Sequence, residues 1–259
     1  MTTLSVFVHS TGAGPSMWAS VPDGALGGAT KLSPPNLGYP PRAPFPRGEV
    51  LAKGADTQLL LEAIGDADVH LHGHSYGAAV ALDAARHLGP RVRSMFLFEP
   101  VMFGALVREN EVDPAALAEA HAFTADRSFL DDDALGGTEP WLERFIDYWN
   151  RPGSWARMPD PMKDATRAVS WKMYQEVRSC FYDVSDFDER PLPSVPCTLV
   201  TAERSTAAAR AMVRSIARRN PHARVVELMG TGHMAPLTHA AKVSEAVAEH
   251  ARMVSCGLR

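Results

Sequence analysis

The segment Gly73-His74-Ser75-Tyr76-Gly77 has the residue types and the spacing of a serine nucleophile on a tight turn. The alternating apolar run at 67–71 predicts a strand before it, and the alanine-rich stretch at 75–88 predicts a helix after it. Glycine on both sides of the serine suits a sharp reversal, because a side chain there would meet neighbouring backbone. Ser75 would lie at the apex, with the first N–H groups of the helix facing any developing anion. This pattern predicts nucleophilic chemistry at Ser75.

A histidine follows the last predicted strand and could serve that nucleophile. Residues 224–228 read as a strand, and Gly230-Thr231-Gly232-His233 comes next, so the two glycines form a loop that can carry His233 to the strand end. The carboxyl ends of parallel strands meet at one edge of a sheet, which is where such sheets bind ligands. We expect His233 to take the Ser75 proton as general base and to return it to the leaving group.

The elements that must position these residues alternate along most of the chain. Strands are predicted at 4–9, 30–33, 67–71, 92–98, 197–201 and 224–228, and helices at 49–64, 75–88, 206–219 and 236–253. Strands that alternate with helices imply a parallel sheet. The alternation is lost after 103, where helices are predicted at 114–125, 139–150 and 160–181. We therefore expect an α/β core at 1–103 and 191–259, with a helical cap inserted at 104–190.

The predicted cap is rich in aromatic residues. It contains four of the five tryptophans of the chain, Trp141, Trp149, Trp155 and Trp171. A small helical layer needs such side chains for its own packing, and the remainder can line an apolar pocket. Trp149 and Trp141 are the candidate substrate-binding residues. This composition favours an apolar acyl or aromatic substrate.

Composition excludes several other classes of function. The 259 residues are 46% hydrophobic and carry a net charge of −4, which suits one large core and gives no field for gathering nucleic acid or anionic lipid. Three widely spaced cysteines indicate neither a disulfide framework nor a zinc site. The chain has neither a signal-peptide pattern at its start nor an apolar run of about 20 residues. We expect a soluble, cytoplasmic protein with a small-molecule substrate and no nucleic-acid or membrane partner. The sequence does not indicate an oligomeric state.

One rival pattern points to a metal. His70, His72 and His74 alternate along the predicted strand, as in the H-x-H-x-D-H zinc motif of metallo-hydrolases. The aspartate of that motif is missing, and Ser75 stands in place of its last histidine. Further ligands are not evident, so we expect no metal and no cofactor.

Together, the serine motif, the late Gly232-His233, the early His9-Ser10-Thr11-Gly12 and the helical insertion resemble the α/β-hydrolase superfamily. The resemblance implies the α/β-hydrolase fold, a mostly parallel sheet flanked by helices. It also implies a Ser–His–acid triad and an oxyanion hole formed by the backbone N–H groups of Tyr76 and Thr11. The chain departs from the family pattern at Ser10, where glycine is common.

The acid of the triad is not in the family's usual place. The matching stretch is Ala202-Glu203-Arg204-Ser205, with a serine where the aspartate would stand, and a hydroxyl cannot stabilise an imidazolium as a carboxylate does. Some members carry the acid after the strand that follows the nucleophile helix. Glu99 has that position here, directly after an apolar strand, and a carboxylate there needs a partner. We expect His233 to be that partner, with Glu203 as the alternative acid.

These features predict a serine hydrolase that cleaves a carboxylic ester or related acyl bond of a small apolar substrate through an acyl-enzyme. A cofactor-free C–C bond hydrolase, a lactonase or a thioesterase would use the same residues. Epoxide hydrolases and hydrolytic dehalogenases of similar fold use an aspartate nucleophile, so Ser75 argues against both. A non-catalytic ligand-binding relative that keeps Ser75 and His233 is the alternative outside enzymes.

Overall fold

Six parallel strands form one sheet at the centre of the computed structural model, which describes residues 2–183 and 185–256. The strands are β1 (Thr3–Val8), β2 (Thr30–Leu32), β3 (Asp68–His74), β4 (Val92–Phe98), β5 (Cys197–Ala202) and β6 (Arg224–Leu228). Their order in the sheet is β2-β1-β3-β4-β5-β6. Parallel neighbours need crossover connections, so helices cover both faces of the sheet.

Helices make up most of the remaining structure. They are α1 (Ala55–Ile64), α2 (Tyr76–Leu88), α3 (Phe103–Leu106), α4 (Pro114–Ala125), α5 (Ser128–Asp131), α6 (Glu139–Trp149), α7 (Ser154–Arg157), α8 (Asp160–Ala168), α9 (Ser170–Tyr182), α10 (Ala207–Arg219), α11 (Ala235–Thr238) and α12 (Ala240–Ser255), with 3₁₀ helices at Pro15–Trp18 and Gly89–Arg91. Helices α3 to α9 all lie between β4 and β5 and are called the inserted helices below. Among residues 2–183 and 185–256, no helix combines the length and the apolar character that crossing a bilayer requires.

The central strands are buried on both faces. Leu71 and Leu97 point into a core that includes α1, α2, α10 and the inserted helices. Phe96 and Phe98 point into a second core, formed with Phe7, the 3₁₀ helix at Pro15–Trp18 and α12. Burial on both faces explains why residues 95–98 of β4 form a continuous apolar run rather than an alternating one.

The helix predicted at 49–64 begins six residues late, at Ala55. The preceding Gly54 has a left-handed backbone (φ 77°), which interrupts helical geometry. Backbone groups before it bond to α9 instead: Leu51 N–H donates to Gln175 Oε1 (3.3 Å), and Trp171 Nε1–H donates to the Glu49 carbonyl (2.9 Å). Tertiary partners have therefore replaced helical ones in this segment.

Two other predicted helices are each divided in two. The helix expected at 160–181 breaks at Val169 (φ −112°, ψ 7°), and the one expected at 236–253 breaks at His239 (φ −136°, ψ 44°). Apolar spacing continues across both breaks, so periodicity alone does not reveal them.

Buried histidines line the sheet face that packs on α12. His250 makes hydrogen bonds to Thr198 Oγ1 (2.9 Å) and Ser94 Oγ (3.0 Å), and His70 Nδ1 lies 2.8 Å from the same Ser94 oxygen. The ring of His72 stacks on Phe7, with 4.2 Å between centroids. Within the described ranges, no three His, Cys, Asp or Glu side chains are grouped so as to hold a metal ion.

Burial of His250 on this face, and of His9 directly after β1, should make folding sensitive to acid. It lowers the pKa of His250 to about 3 and that of His9 to about 4, against about 6.5 in an unfolded chain. Below pH 6.5 the unfolded chain binds protons that the folded protein excludes, so stability is full above that pH and falls as the pH drops towards 4. We expect these two rings together to lower the free energy of unfolding by about 4 kcal/mol between pH 7 and pH 5.

Urea denaturation at pH 7, 6 and 5 measures this loss. The variant His250→Asn keeps a polar atom near Thr198 but cannot titrate, so its loss of unfolding free energy between pH 7 and pH 5 should be about 2 kcal/mol smaller than that of the wild type. An unchanged pH dependence in that variant would contradict the assignment.

Candidate active site

Ser75 is the single residue between β3 and α2, and its backbone is strained. Its φ of 56° and ψ of −122° lie in a region that side chains other than glycine rarely adopt, at a cost of about 1–3 kcal/mol. Two hydrogen bonds hold the turn, from Ser75 N–H to the Phe98 carbonyl (2.9 Å) and from Val101 N–H to the Ser75 carbonyl (3.3 Å). Because this strained turn directly follows β3, Ser75 lies at the carboxyl end of the sheet.

The glycines beside Ser75 permit close backbone contact. A Cβ on Gly73 would lie 2.5 Å from the Cα of Ala78, and one on Gly77 would lie 2.5 Å from the Val8 carbonyl oxygen and also overlap that of His9. Distances this short exclude a Cβ atom, so the turn requires glycine at both positions. The requirement comes from close backbone packing, because neither Gly73 nor Gly77 has a positive φ.

We expect Gly77→Ala to reduce the free energy of unfolding by about 3 kcal/mol or more, because β1 and α2 must separate to admit the methyl group. Urea denaturation at pH 7 measures the change. Gly14→Ala is the matched control, since a Cβ there meets nothing within 4 Å and the φ of −133° suits alanine. A loss for Gly77→Ala that is no greater than for Gly14→Ala would contradict the packing argument.

His233 lies on the loop after β6 and faces Ser75. Its Nε2 is 3.0 Å from Ser75 Oγ, and its Nδ1 is 2.7 Å from Glu99 Oε2. Because a carboxylate only accepts, the Nδ1–H donates to Glu99 and leaves Nε2 free to accept the Ser75 proton. His74 Nε2–H donates to the His233 carbonyl (2.8 Å), and the Trp149 ring stacks on the imidazole at 3.9 Å between centroids. Hydrogen bonds at both ring nitrogens and the stacked Trp149 ring thus hold the imidazole in place.

Glu99 directly follows β4 and is fully buried. His74 pairs with Phe98, and Phe98 with Val200, so Ser75 and Glu99 extend from neighbouring strands at the same level. Like Ser75, Glu99 has a positive φ, 42°. A strained backbone conformation persists only where the surrounding structure holds the residue in place, which indicates that the position of Glu99 is fixed by its neighbours.

Four hydrogen bonds accompany that burial. Besides His233, the Glu99 carboxylate accepts from the Ala202 N–H (2.8 Å), the Thr201 hydroxyl (3.1 Å) and the Ser205 hydroxyl (2.7 Å). These donors offset the cost of removing the charge from water. Ser205 was missed as a contributor at the level of sequence. Its only signal was its position, where the family usually has the acid.

Glu203, the alternative acid, bonds elsewhere. Its carboxylate accepts from the Gly230 N–H at 2.6 Å, which ties the start of the His233 loop to the end of β5. The structure brings Ser75, His233 and Glu99 into one chain of hydrogen bonds and leaves Glu203 outside that chain.

The two residues expected to form the oxyanion hole, Tyr76 and Thr11, belong to the same cavity as Ser75. Tyr76 is the first residue of α2, so its N–H has no acceptor within the helix. The neighbouring Gly12 N–H donates to the Tyr39 hydroxyl (2.9 Å), whereas the Thr11 N–H has no acceptor among the residues described. Ser75, Tyr76 and Thr11 all line the same cavity. Neither the Thr11 nor the Tyr76 N–H therefore has a hydrogen-bond acceptor among the residues described.

That cavity has a volume of about 190 Å³ and lies between the sheet edge and the inserted helices. Ser75 and His233 both line it. The inserted helices contribute seven aromatic side chains to its walls, Phe103, Phe123, Phe129, Phe145, Tyr148, Trp149 and Phe181. Trp149 is thus in the wall, whereas Trp141 is one layer behind it, stacked on Phe129 and Phe145 with 5.2 and 5.3 Å between centroids. A second cavity of about 270 Å³ lies behind Tyr76, and neither Ser75 nor His233 lines it.

A parallel sheet with a serine on a strained turn between its third strand and the following helix defines the α/β-hydrolase class. The chain belongs to the Alpha/beta hydrolase family, whose model matches residues 6–246. Comparison with curated protein sequences returns no match. The fold and the family are therefore as the sequence motifs indicated.

Solved structures of the same fold include several hydrolases. A thermophilic esterase from Thermogutta terrifontis is similar over 98% of this chain and 91% of its own, with 18% identity and a TM-score of 0.69. An enol-lactonase from Burkholderia xenovorans has 18% identity and a TM-score of 0.62, covering 96% and 91% of the two chains. A thioesterase from the prodiginine biosynthetic pathway of Streptomyces coelicolor has 16% identity and a TM-score of 0.65, covering 96% of this chain and 85% of its own. Family and neighbours support a hydrolase, and identities this low show no more than a shared fold.

Proposed function

We propose that the protein is a serine hydrolase that cleaves a carboxylic ester or related acyl bond of a small apolar substrate through an acyl-enzyme. The observation that carries the proposal is the continuous chain from Ser75 Oγ to His233 (3.0 Å) and on to Glu99 (2.7 Å). Nucleophile, base and orienting acid within hydrogen-bond distance are the arrangement that activates a serine.

In the proposed mechanism, Ser75 Oγ attacks the carbonyl carbon while its proton passes to His233 Nε2. The N–H groups of Tyr76 and Thr11 hold the resulting oxyanion. As the intermediate collapses, the imidazolium protonates the leaving alcohol and the acyl group stays on Ser75. Water then attacks this ester with His233 as base, releasing the carboxylic acid and restoring the serine.

The proposed acid is Glu99. Its carboxylate accepts the Nδ1–H of His233, which selects the tautomer with a basic Nε2 and stabilises the imidazolium once it forms. The strained backbone and three further donors keep the carboxylate in register with the ring. This assignment places the acid on β4 rather than on β5.

The substrate class follows from the cavity. An apolar, aromatic wall around about 190 Å³ suits an acyl or aryl group somewhat larger than one benzene ring, for which about 150 Å³ is enough. We assign residues 104–190 as the cap that, together with Phe103 just before it, forms this wall, with Trp149 touching both substrate and His233. Cytoplasmic localisation and the absence of nucleic-acid partners stay predictions.

A fluorophosphonate probe tests the activated serine. Covalent labelling of the purified protein, mapped to Ser75 by mass spectrometry, supports the proposal. Absence of labelling would favour a non-catalytic ligand-binding protein instead.

A substrate panel then tests the bond and the size of the acyl group. We expect phenyl acetate and phenyl butyrate to be cleaved with higher kcat/KM than phenyl palmitate, because a sixteen-carbon chain exceeds the cavity. Matched thioesters and lactones in the same panel distinguish an esterase from a thioesterase or a lactonase. Preference for the palmitate ester would contradict the proposed substrate size.

A further inference from the structure

Three charged side chains lie fully inside the protein, next to the proposed oxyanion hole. Lys172 Nζ is 2.7 Å from Asp56 Oδ2 and 2.6 Å from Glu176 Oε1, and none of the three residues is more than 3% exposed. Lys172 and Glu176 are on α9 of the inserted helices, whereas Asp56 is on α1 of the sheet domain. This ion cluster therefore joins the inserted helices to the rest of the protein.

Stability alone does not account for the cluster. Removing three charges from water is costly, and apolar side chains of similar volume at such sites are often as stable or more so. A buried cluster of this kind needs well-placed hydrogen-bond partners, and the positions of those partners are fixed by the cluster in turn.

One set of partners reaches the residue after the nucleophile. The Tyr76 hydroxyl donates to Asp56 Oδ2 at 2.6 Å, while the backbone N–H of Tyr76 is the proposed oxyanion donor. The other Asp56 oxygen accepts from the Leu37 N–H at 2.7 Å. The side chain of Tyr76 is thus anchored on the cluster, and its backbone begins α2.

A second set reaches the other oxyanion donor. The Tyr39 hydroxyl donates to Glu176 Oε2 (2.9 Å) and accepts from the Gly12 N–H (2.9 Å). Gly12 directly follows Thr11, so this bond fixes the turn that presents the Thr11 N–H. Both proposed oxyanion donors are therefore connected to one ion cluster, through one tyrosine hydroxyl each.

We propose that Lys172, Asp56 and Glu176 act as positioning residues that set the separation of the Thr11 and Tyr76 N–H groups through the hydroxyls of Tyr39 and Tyr76. This role rests on the proposed function. Because α9 also contributes Val177 and Phe181 to the cavity wall, the same helix contacts the substrate and fixes the oxyanion hole. The cluster thereby couples the fit of the acyl group to stabilisation of the transition state.

Single hydroxyl deletions test the proposal with little change of shape. Tyr39→Phe and Tyr76→Phe each cut one connection, and we expect each to lower kcat for phenyl acetate about 10-fold with KM within about twofold, because a displaced N–H donor weakens the transition state more than the bound ester. Lys172→Met is unsuitable, since it leaves two buried carboxylates without a cation and could prevent folding.

Tyr174→Phe is the matched control. Tyr174 is also fully buried on α9, and its hydroxyl donates to the Leu130 carbonyl (2.9 Å), away from both oxyanion donors. Its loss should cost comparable stability by urea denaturation while kcat stays within about twofold. A fall in kcat for Tyr39→Phe and Tyr76→Phe no larger than that for Tyr174→Phe, with an active wild type, overturns the proposal.

Amide NMR separates this proposal from the proposed function. Tyr39→Phe should shift the backbone amide resonances of Thr11 and, across the cluster, of Tyr76, whereas Tyr174→Phe should leave both unchanged. These shifts in a protein that hydrolyses no substrate would refute the hydrolase and keep the positioning network. Their absence refutes the network whatever the activity.

Discussion

Ser75→Ala is expected to reduce the turnover of phenyl acetate by about 10⁴-fold or more, because the remaining oxyanion donors cannot replace a covalent nucleophile. The free energy of unfolding should change by less than about 1 kcal/mol, since alanine bears the same positive φ and only one hydrogen bond, to His233, is lost. Initial rates and urea denaturation on the same preparations provide both values.

A matched serine controls for loss of a buried hydroxyl. Ser94 is fully buried on β4, bonded to His70 and His250 and distant from the cavity, so Ser94→Ala should retain turnover within about threefold. Fluorophosphonate labelling must disappear in Ser75→Ala and persist in Ser94→Ala. A Ser75→Ala protein with a tenth of the wild-type rate would rule out the acyl-enzyme.

Glu99→Gln is expected to lower kcat about 10³-fold. The amide is neutral and cannot stabilise the imidazolium, and its NH₂ group facing Nδ1 favours the tautomer whose Nε2 carries the proton and cannot accept from Ser75. The fold should persist, because glutamine keeps an oxygen at the Oε1 position that can accept from the Ala202 N–H and the Thr201 hydroxyl, while its NH₂ group can donate to the Ser205 hydroxyl. Steady-state kinetics with phenyl acetate measure the loss.

Glu203→Gln is the paired control. Its amide oxygen can still accept from Gly230 N–H, so we expect kcat within about threefold of wild type. A larger loss in Glu203→Gln than in Glu99→Gln would reverse the assignment of the acid.

A compensating change gives a stronger test of geometry. Ser205 Oγ and His233 Nδ1 both lie 2.7 Å from Glu99 Oε2, so an aspartate at 205 would place its carboxylate near the ring. We expect Glu99→Gln with Ser205→Asp to recover about 10-fold in kcat over Glu99→Gln alone. No recovery, with the double variant folded, would mean that the acid functions only from β4.

The periodicity of the sequence was a reliable guide to the sheet. The predicted bounds of β4 and β6 agree with the structure, and the parallel arrangement is confirmed. In β4, burial on both faces of the sheet leaves a run of apolar residues at 95–98 that marks the strand in the sequence. Helix bounds were less reliable. The helix predicted to begin at 49 begins at Ala55, since bonds to α9 compete there with helical ones.

The residues of the site also differ in how far the sequence alone could predict them. Local pattern alone pointed to Ser75, because the two glycines, the strand and the helix are contiguous with it. His233 and Glu99 could be suggested only as strand-end residues, and their distances to Ser75 and to each other come from strand order and register. The choice between Glu99 and Glu203 was open in the sequence, as both follow strands at the same edge of the sheet.

By itself, the sequence determined the fold class, the nucleophile turn and the aromatic character of the inserted helices, since each depends on residues close together in the chain. Only the tertiary structure decided that Ser205 bonds to Glu99, that Trp149 rather than Trp141 reaches the cavity, and that Lys172 meets Asp56 behind the Tyr76 turn. Those contacts join residues from separate elements, and their distances depend on how the inserted helices pack on the sheet. Local periodicity in the sequence does not predict that packing.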